Sequence, residues 1–277
     1  MLSKLNKIPI TVIVPAKNEE LNLPKCLSLL GDLDQIIVVD SISSDQTPQI
    51  TVEYGAELVN FNWDGKFPKK RNWALRNLLI KNDWVLFLDA DEYLTNDFIK
   101  ELRDALKTTE YQGYWLRYTV YFMGKRLKFG DAPDKLALFR KTAGEYERID
   151  EDTWSRLDME VHEHPILSGK IGRFKSRIDH NDFKGMEKYL ERHDAYSTWE
   201  AKRYIQTIQS QDKILTQRQK IKYALIKWHI APFIFFIGSY FLKFGFLDGK
   251  YGLLYAWYKA KYFNQIQQKI KNFQNNK

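Results

Sequence analysis

Asp83-Trp84-Val85-Leu86-Phe87-Leu88-Asp89-Ala90-Asp91-Glu92-Tyr93 is the stretch whose reading decides the fold. Trp84 to Leu88 is wholly apolar, the pattern of a strand buried on both faces. The run stops at two aspartates one residue apart. Strand side chains alternate, so the first aspartate can stand at the end of a sheet while a turn aims the second beside it. In an open α/β sheet that end is where ligands bind. Two carboxylates there suit a hard divalent cation, shared with phosphate oxygens and keeping several waters. A strand followed by an acidic turn has the same local sequence, so the surrounding chain must decide.

Upstream, strands and helices alternate. Ile8 to Val14 is apolar and β-branched and is closed by Pro15. Asn18 is placed to cap a helix carrying Leu23, Leu27 and Leu30, with Glu19 and Glu20 in its first turn and Gly31 after it. Ile36 to Val39 is the next strand and delivers Asp40. Thr47-Pro48 opens a helix that Gly55 stops. Ala56 to Asn60 forms a third strand, and Lys69 to Leu79 a helix leading into Trp84–Leu88. Repeats of this length predict an α/β fold with a parallel, right-handed, doubly wound sheet. Pro15 with Glu19, Asp40, and Asp89 with Asp91 then fall at one edge, each just past a strand. The chain has neither G-x-G-x-x-G nor a Walker lysine motif, so a dinucleotide or P-loop site has no support. Without a glycine-rich cradle a diphosphate needs a metal and cations, and Arg71 is the nearest candidate cation.

Four motifs carry a resemblance. P-A-K-N-E-E (15–20), V-V-D-S-x-S-x-D-x-T (38–47), K-R-N-W-A (70–74) and L-D-A-D-E (88–92) resemble family 2 glycosyltransferases, closest to the branch of the lipopolysaccharide-core glucosyltransferases. The resemblance implies a GT-A fold; with the helices read from the tail below, the expected fold is a GT-A-type doubly wound, mostly parallel sheet with a C-terminal helical appendage. It also implies a nucleotide-diphosphate sugar donor (a UDP-sugar first), Mg²⁺ or Mn²⁺, and inversion at the anomeric carbon. Carried over residue by residue, it gives Pro15, Glu19 and Asp40 to base and ribose. Asp89 goes to ribose and metal, and Asp91 to the metal beside the diphosphate. Where many members have two aspartates this chain has Asp40-Ser41, so Asp40 alone is left to meet the base.

Downstream, Thr95 to Leu106 reads as an amphipathic helix, Gly113 to Met123 and Lys135 to Arg140 as strands, and Lys170 to Ile178 as a closing strand. Phe129 to Asp134 resembles the family's acceptor-side loop. Val161-His162-Glu163 reproduces the V-H-E of the resembling branch. An inverting transfer needs one base for the acceptor hydroxyl and no covalent nucleophile. Glu163 is the candidate for that base, with His162 orienting it or approaching the metal. Glu160, Asp131 and Asp134 compete, and an exposed polar turn is the alternative for the H-E-H triplet. His180 is a candidate for completing the metal shell, against the reading of a satisfied surface histidine.

The 277 residues carry a net charge of +8 that is unevenly spread. From Ala201 onward there are 14 Lys+Arg against Asp212 and Asp248, so the front of the chain is slightly acidic. One cysteine, Cys26, forbids an internal disulfide and fits a reducing compartment. The expected organisation is a catalytic domain over 1–183 and a basic, aromatic helical region over 184–277. In the latter, Met186 to Tyr204 and Lys213 to Ile230 read as helices, the second with Ile214, Ile221, Leu225 and Trp228 on one side. Phe233 to Leu242 is well short of the ~20 residues needed to cross a bilayer. Aromatic blocks flanked by lysines fit helices lying on an anionic membrane surface, and a helical lid with core aromatics is the alternative.

Rival chemistries fit less well. A haloacid-dehalogenase-like phosphatase would place Thr or Val where Tyr93 stands, and its acidic pair near the start of the chain. A nucleotidyltransferase would carry a glycine-rich basic loop after the first strand. A nucleic-acid-binding module would not gather its apolar residues in blocks, so nucleic acid is not expected as a partner. The expectation is a metal-dependent transferase, cytoplasmic and peripheral at the inner face of the plasma membrane. It would act on a glycan or lipid-linked acceptor in cell-envelope or exopolysaccharide synthesis.

Overall fold

The computed structural model describes residues 7–107, 110–160, 163–209 and 217–275. The chain divides into two compact units, Met1–Val120 with Pro133–Phe183, and Tyr121–Ala132 with Lys184–Lys277.

The first unit is built on the predicted parallel strands. β1 (Ile8–Ala16) lies between β2 (Leu33–Asp40) and β4 (Trp84–Phe87), parallel to both, with Val12 opposite Ile36 and Leu86. β3 (Glu57–Asn60) extends the sheet parallel to β2. The order is completed by β8 (Asp134–Arg140), antiparallel to β4, β6 (Gly113–Phe122), β11 (Ile171–His180) and the short β5 (Glu92–Tyr93). β11 runs parallel to β6 and antiparallel to β5. The sheet is therefore mixed but mostly parallel, as the GT-A expectation has it.

Alternation along the strands explains why both faces are apolar. Ile10, Val12 and Val14 of β1 and Trp84 and Leu86 of β4 enter one core. In that core they meet Leu23, Cys26 and Leu27 of α1 (Leu23–Ser28) and Phe98 and Leu102 of α4 (Asn96–Ala105). Ile13, Val85 and Phe87 enter the other, against Ala74 of α3 (Lys70–Asn77). A strand with helices on both faces has no polar side, so no polar alternation shows in its sequence. α2 (Thr47–Glu53) starts at Thr47-Pro48 as predicted, and Thr95 caps α4 by accepting from the Phe98 amide.

Asn18 does not cap a helix. It sits at φ 54°, and its side chain accepts from the Ser44 amide across the sheet edge. α1 begins four residues later behind Asn22, with Pro24 in its first turn. The buried Asn22 amide group is held by Glu19 (2.9 Å) and Asp182 (2.8 Å). Glu19 therefore lies in the loop before the helix. A small hairpin of β9 (Gly144–Tyr146) and β10 (Pro165–Leu167) lies off the main sheet. Its close pairing requires Gly144, because a Cβ there would stand 1.9 Å from the Ile166 carbonyl oxygen.

The second unit contains the two-residue strand β7 (Lys125–Arg126), which pairs with the end of β6. Its helices are α5 (Gly185–Gln209), α6 (Gln217–Lys227), α7 (Ala231–Ile237) and α8 (Gly249–Asn275). A core of Ala201, Tyr204, Tyr223, Ile226, Phe263, Ile266 and Ile270 joins them, and Phe235 stacks on Phe263 at 3.8 Å. The helical spacing expected for Lys213 to Ile230 falls partly outside the described residues; of the residues expected on one side, Leu225 packs against this core. Ile221 and Trp228 are exposed, whereas Tyr223 and Ile226 point into the core. Either face of α6 has apolar residues, and only the neighbouring helices decide which is covered. The apolar run Phe233–Leu242 is α7 followed by a π-helical turn over Gly238–Leu242.

Candidate active site

The C-terminal ends of β1, β2 and β4 lie side by side and bring Ala16, Asp40 and the Leu88-Asp89 turn to one edge. Pro15 is buried in the last turn of β1 pairing, opposite Val39. Asp40 is 1% exposed; one carboxylate oxygen accepts from the Ser43 amide (2.8 Å) and the other from the Ser43 hydroxyl. The Asp40 side chain thus shapes the turn that follows β2. Beside it, the Lys70 ammonium donates to the Ala16 carbonyl (3.0 Å) and lies 3.4 Å from Asp158, which also accepts from Ser41.

The two aspartates of the opening stretch have different surroundings. Asp89 accepts from the Arg71 guanidinium on one oxygen and from the Lys135 ammonium on the other, both at 2.6 Å. Burial alone would raise its pKa, but the two cations outweigh that and hold the carboxyl well below the usual range. Lys135 also donates to one oxygen of Glu92, whose other oxygen accepts from the Tyr118 hydroxyl (3.3 Å) and the Asp89 amide (3.1 Å). Asp91 faces His180, with Oδ2 3.3 Å from Nε2. β11 delivers that histidine through its antiparallel pairing with β5, which sets His180 opposite Glu92. Burial works against ionisation of the imidazole, and the Asp91 carboxylate more than offsets it, raising the His180 pKa.

A divalent cation can be matched to these donors. Asp91 and His180 supply a carboxylate and an imidazole a few ångströms apart. Asp89 contributes charge beside them while its oxygens serve Arg71 and Lys135. Among the described residues no group of three or more His, Cys, Asp and Glu forms an all-protein cage. The set therefore fits Mg²⁺ or Mn²⁺ only as a shared site, completed by phosphate oxygens and water, the arrangement such ions accept readily.

Arg71 reaches Asp89 because its backbone is anchored from far along the chain. Glu160, 2% exposed, accepts from the Arg71 amide (2.8 Å) and the Asn72 amide (3.0 Å). Its own carbonyl accepts from the Arg71 guanidinium. The carboxylate caps the N-terminus of α3, where free N–H groups and the helix dipole favour negative charge. Glu160 entered the sequence reading as a competing base; both its oxygens hold a helix instead. Asp131 is paired with Lys243 and Lys259, and Asp134 with Arg173.

Glu163 is buried and lies 3.2 Å from the Lys69 ammonium, which also pairs with Glu151. This cluster borders a cavity of about 10 Å³ lined in part by Phe67, Glu147 and Ile149. Burial raises the Glu151 pKa, Lys69 opposes this, and neighbouring Glu163 adds to the rise. His162 lies outside the described residues. Lys135, Glu92, Lys69 and Glu151 were not singled out from sequence. Glu92 closes the quoted L-D-A-D-E motif and Lys69 adjoins K-R-N-W-A, whereas nothing local marks Lys135 or Glu151.

The model of the family "Glycosyl transferase family 2" matches residues 11–159. A TPR repeat-containing protein of Synechococcus elongatus is 37% identical over 102 residues, covering 36% of this chain and 25% of its own length. The chain thus spans about a quarter of that relative. The lipopolysaccharide core biosynthesis glycosyltransferase LpsC of Rhizobium meliloti is 24% identical over 277 residues, covering 92% of this chain and 91% of LpsC. The solved structure of S. aureus TarS 1–349 aligns with 98% of this chain and 92% of its own at 16% identity and a TM-score of 0.43. With more than half the chain matched by the family model, the protein belongs to glycosyl transferase family 2.

Proposed function

We propose that the protein transfers a sugar, with inversion, from a nucleoside-diphosphate donor to a hydroxyl of a glycan or lipid-linked acceptor in envelope or exopolysaccharide synthesis. A UDP-sugar is the first donor to test. One observation carries the reading: Arg71 and Lys135 converge on Asp89 beside the Asp91–His180 pair, at the carboxyl ends of parallel strands. Two cations there match the oxygens of a diphosphate, and their carboxylate partner keeps them in place before it arrives. A divalent cation held by Asp91 and His180 would supply charge neutralisation for the departing diphosphate.

In the proposed reaction the acceptor oxygen bonds to the anomeric carbon as the bond to the diphosphate oxygen breaks. The electron pair leaves with the nucleoside diphosphate. Glu163, held 3.2 Å from the Lys69 ammonium, receives the acceptor proton. Pro15, Glu19 and Asp40 would hold base and ribose. The same reading puts the reaction in the cytoplasm, where the free Cys26 thiol stays reduced.

The direct test is ligand-induced stabilisation with Mn²⁺ and, in turn, UDP-, GDP- and dTDP-sugars. A bound donor at a hundred times its Kd adds about 2.7 kcal/mol to stability, a clear rise in melting temperature. One nucleotide should stand out, and its effect should require the metal. Indifference to all of them would remove the proposal.

A further inference from the structure

We propose that the segment from α7 to the first turns of α8 is a membrane-docking surface that recognises an anionic lipid bilayer by lying in its interface. Phe233, Phe241, Leu242, Phe244, Leu247 and Trp257 are all exposed, Leu242 at 73% and Phe233 at 66%. The surface is continuous, since Phe236, Tyr240, Phe241, Phe244 and Phe246 are linked by ring contacts of 5.0–6.5 Å. Soluble surfaces rarely gather this much aromatic and aliphatic area in one place.

The backbone is built to present it. After the π-helical turn, Phe244 adopts φ 58° and starts a 3₁₀ turn over Gly245–Asp248. That turn lies directly against α8. A Cβ on Gly252 would stand 1.9 Å from the Gly245 carbonyl oxygen, so only glycine permits the approach. The turn that carries Phe244 to Leu247 is thereby held against the first turns of α8.

Charge selects the partner. On α8, Lys250, Leu253, Trp257 and Lys261 fall at i, i+3, i+7 and i+11, an exposed ridge with a lysine at each end. Lysine stems can lie along apolar surface while the ammonium groups reach lipid phosphates. Residues 217–275 hold ten Lys+Arg and a single acid, Asp248. That acid is occupied, accepting from the Lys128 and Phe129 amides. A protein partner would need a complementary shape, whereas a bilayer needs only this apolar ridge and its basic flanks. Among the described residues no single helix is long and apolar enough to cross a membrane; Gln219–Lys227 and Ala231–Leu242 reach that length and apolarity only as a pair, bent by 120°.

The test is flotation of the full chain with vesicles of phosphatidylglycerol plus phosphatidylcholine, and of phosphatidylcholine alone. The protein should float with the first, and added salt should weaken this. Leu242→Glu with Trp257→Gln should cut partitioning at least about tenfold, since two exposed apolar groups lose their burial in lipid. Lys250→Glu with Lys261→Glu should cost about fivefold or more per lysine, on the anionic vesicles only. Leu79→Glu, at an 89% exposed leucine of the first unit, should float like the parent. Circular dichroism and the Mn²⁺–donor stabilisation check that each variant is folded. No flotation of the parent, or undiminished flotation of the Leu242/Trp257 variant, would overturn the proposal. So would a parent that is a dimer in solution, ignores vesicles and becomes monomeric in that variant, because the surface would then belong to a second copy.

Discussion

Replacing Glu160 separates a helix cap from a catalytic base. The carboxylate is 2% exposed and accepts the amides of Arg71 and Asn72 at 2.8 and 3.0 Å. Glu160→Ala removes both acceptors and leaves two N–H groups at the start of α3 without partners. A hydrogen bond to a charged group contributes about 1.5–3 kcal/mol, and a lost cap alone about 1–2. The two losses overlap, so about 3–5 kcal/mol is expected. At about 2–4 °C per kcal/mol for a unit of this size, the melting temperature should fall by roughly 6–20 °C. Glu160→Gln keeps one acceptor oxygen and should lose about half as much. Urea unfolding followed by tryptophan fluorescence gives the stability, provided the slope is unchanged between variants. The kinetic signature is equally specific. A displaced Arg71 should weaken donor binding, raising KM, while a missing base would lower kcat with KM unchanged. Stability within about 1 kcal/mol of the parent would refute the cap, since that is less than one charged hydrogen bond contributes. A fall confined to kcat in Glu160→Gln would return Glu160 to the role of base.

Three further outcomes are expected. Asp91→Asn should abolish transfer and Mn²⁺-dependent donor stabilisation while the circular dichroism spectrum is unchanged. Normal turnover would remove Asp91 from the metal site. Glu163→Gln should bind donor like the parent and lose about 10²–10⁴-fold in kcat; Lys69 keeps Glu151 as its partner in that variant, so the fold should persist. Asp158→Asn should alter the acid limb of stability. Burial acts to raise the Asp158 pKa, but Lys70 and Ser41 outweigh it and lower it below 3.8. A depressed carboxylate stabilises the fold above its unfolded pKa, and this contribution is lost as pH falls through the folded value. The parent should therefore exceed Asp158→Asn in stability near neutrality, and the gap should close on acidification. A gap independent of pH would show that the Lys70 pair contributes nothing through charge.

Local sequence determined the parallel strands and the edge they share. The Trp84–Leu88 run, the β-branched Ile8–Val14 and the glycine, proline and threonine between them encode burial and turns within a few residues. For that reason their elements appear where expected, and the two aspartates fall at the end of β4. Long-range contacts decided which polar groups act together. Lys135 joins Asp89 across 46 residues, His180 joins Asp91 across 89, and Glu160 caps a helix 89 residues before it. A carboxylate has the same sequence signature as base, cap or ion-pair partner, because the role is set by the donors facing it. Those donors are supplied by antiparallel β8, by β11 and by the first turn of α3, and their placement opposite each carboxylate follows from packing and not from any local pattern. The same holds for α6, where both faces carry apolar residues and only the neighbouring helices leave Trp228 in solvent and Ile226 in the core.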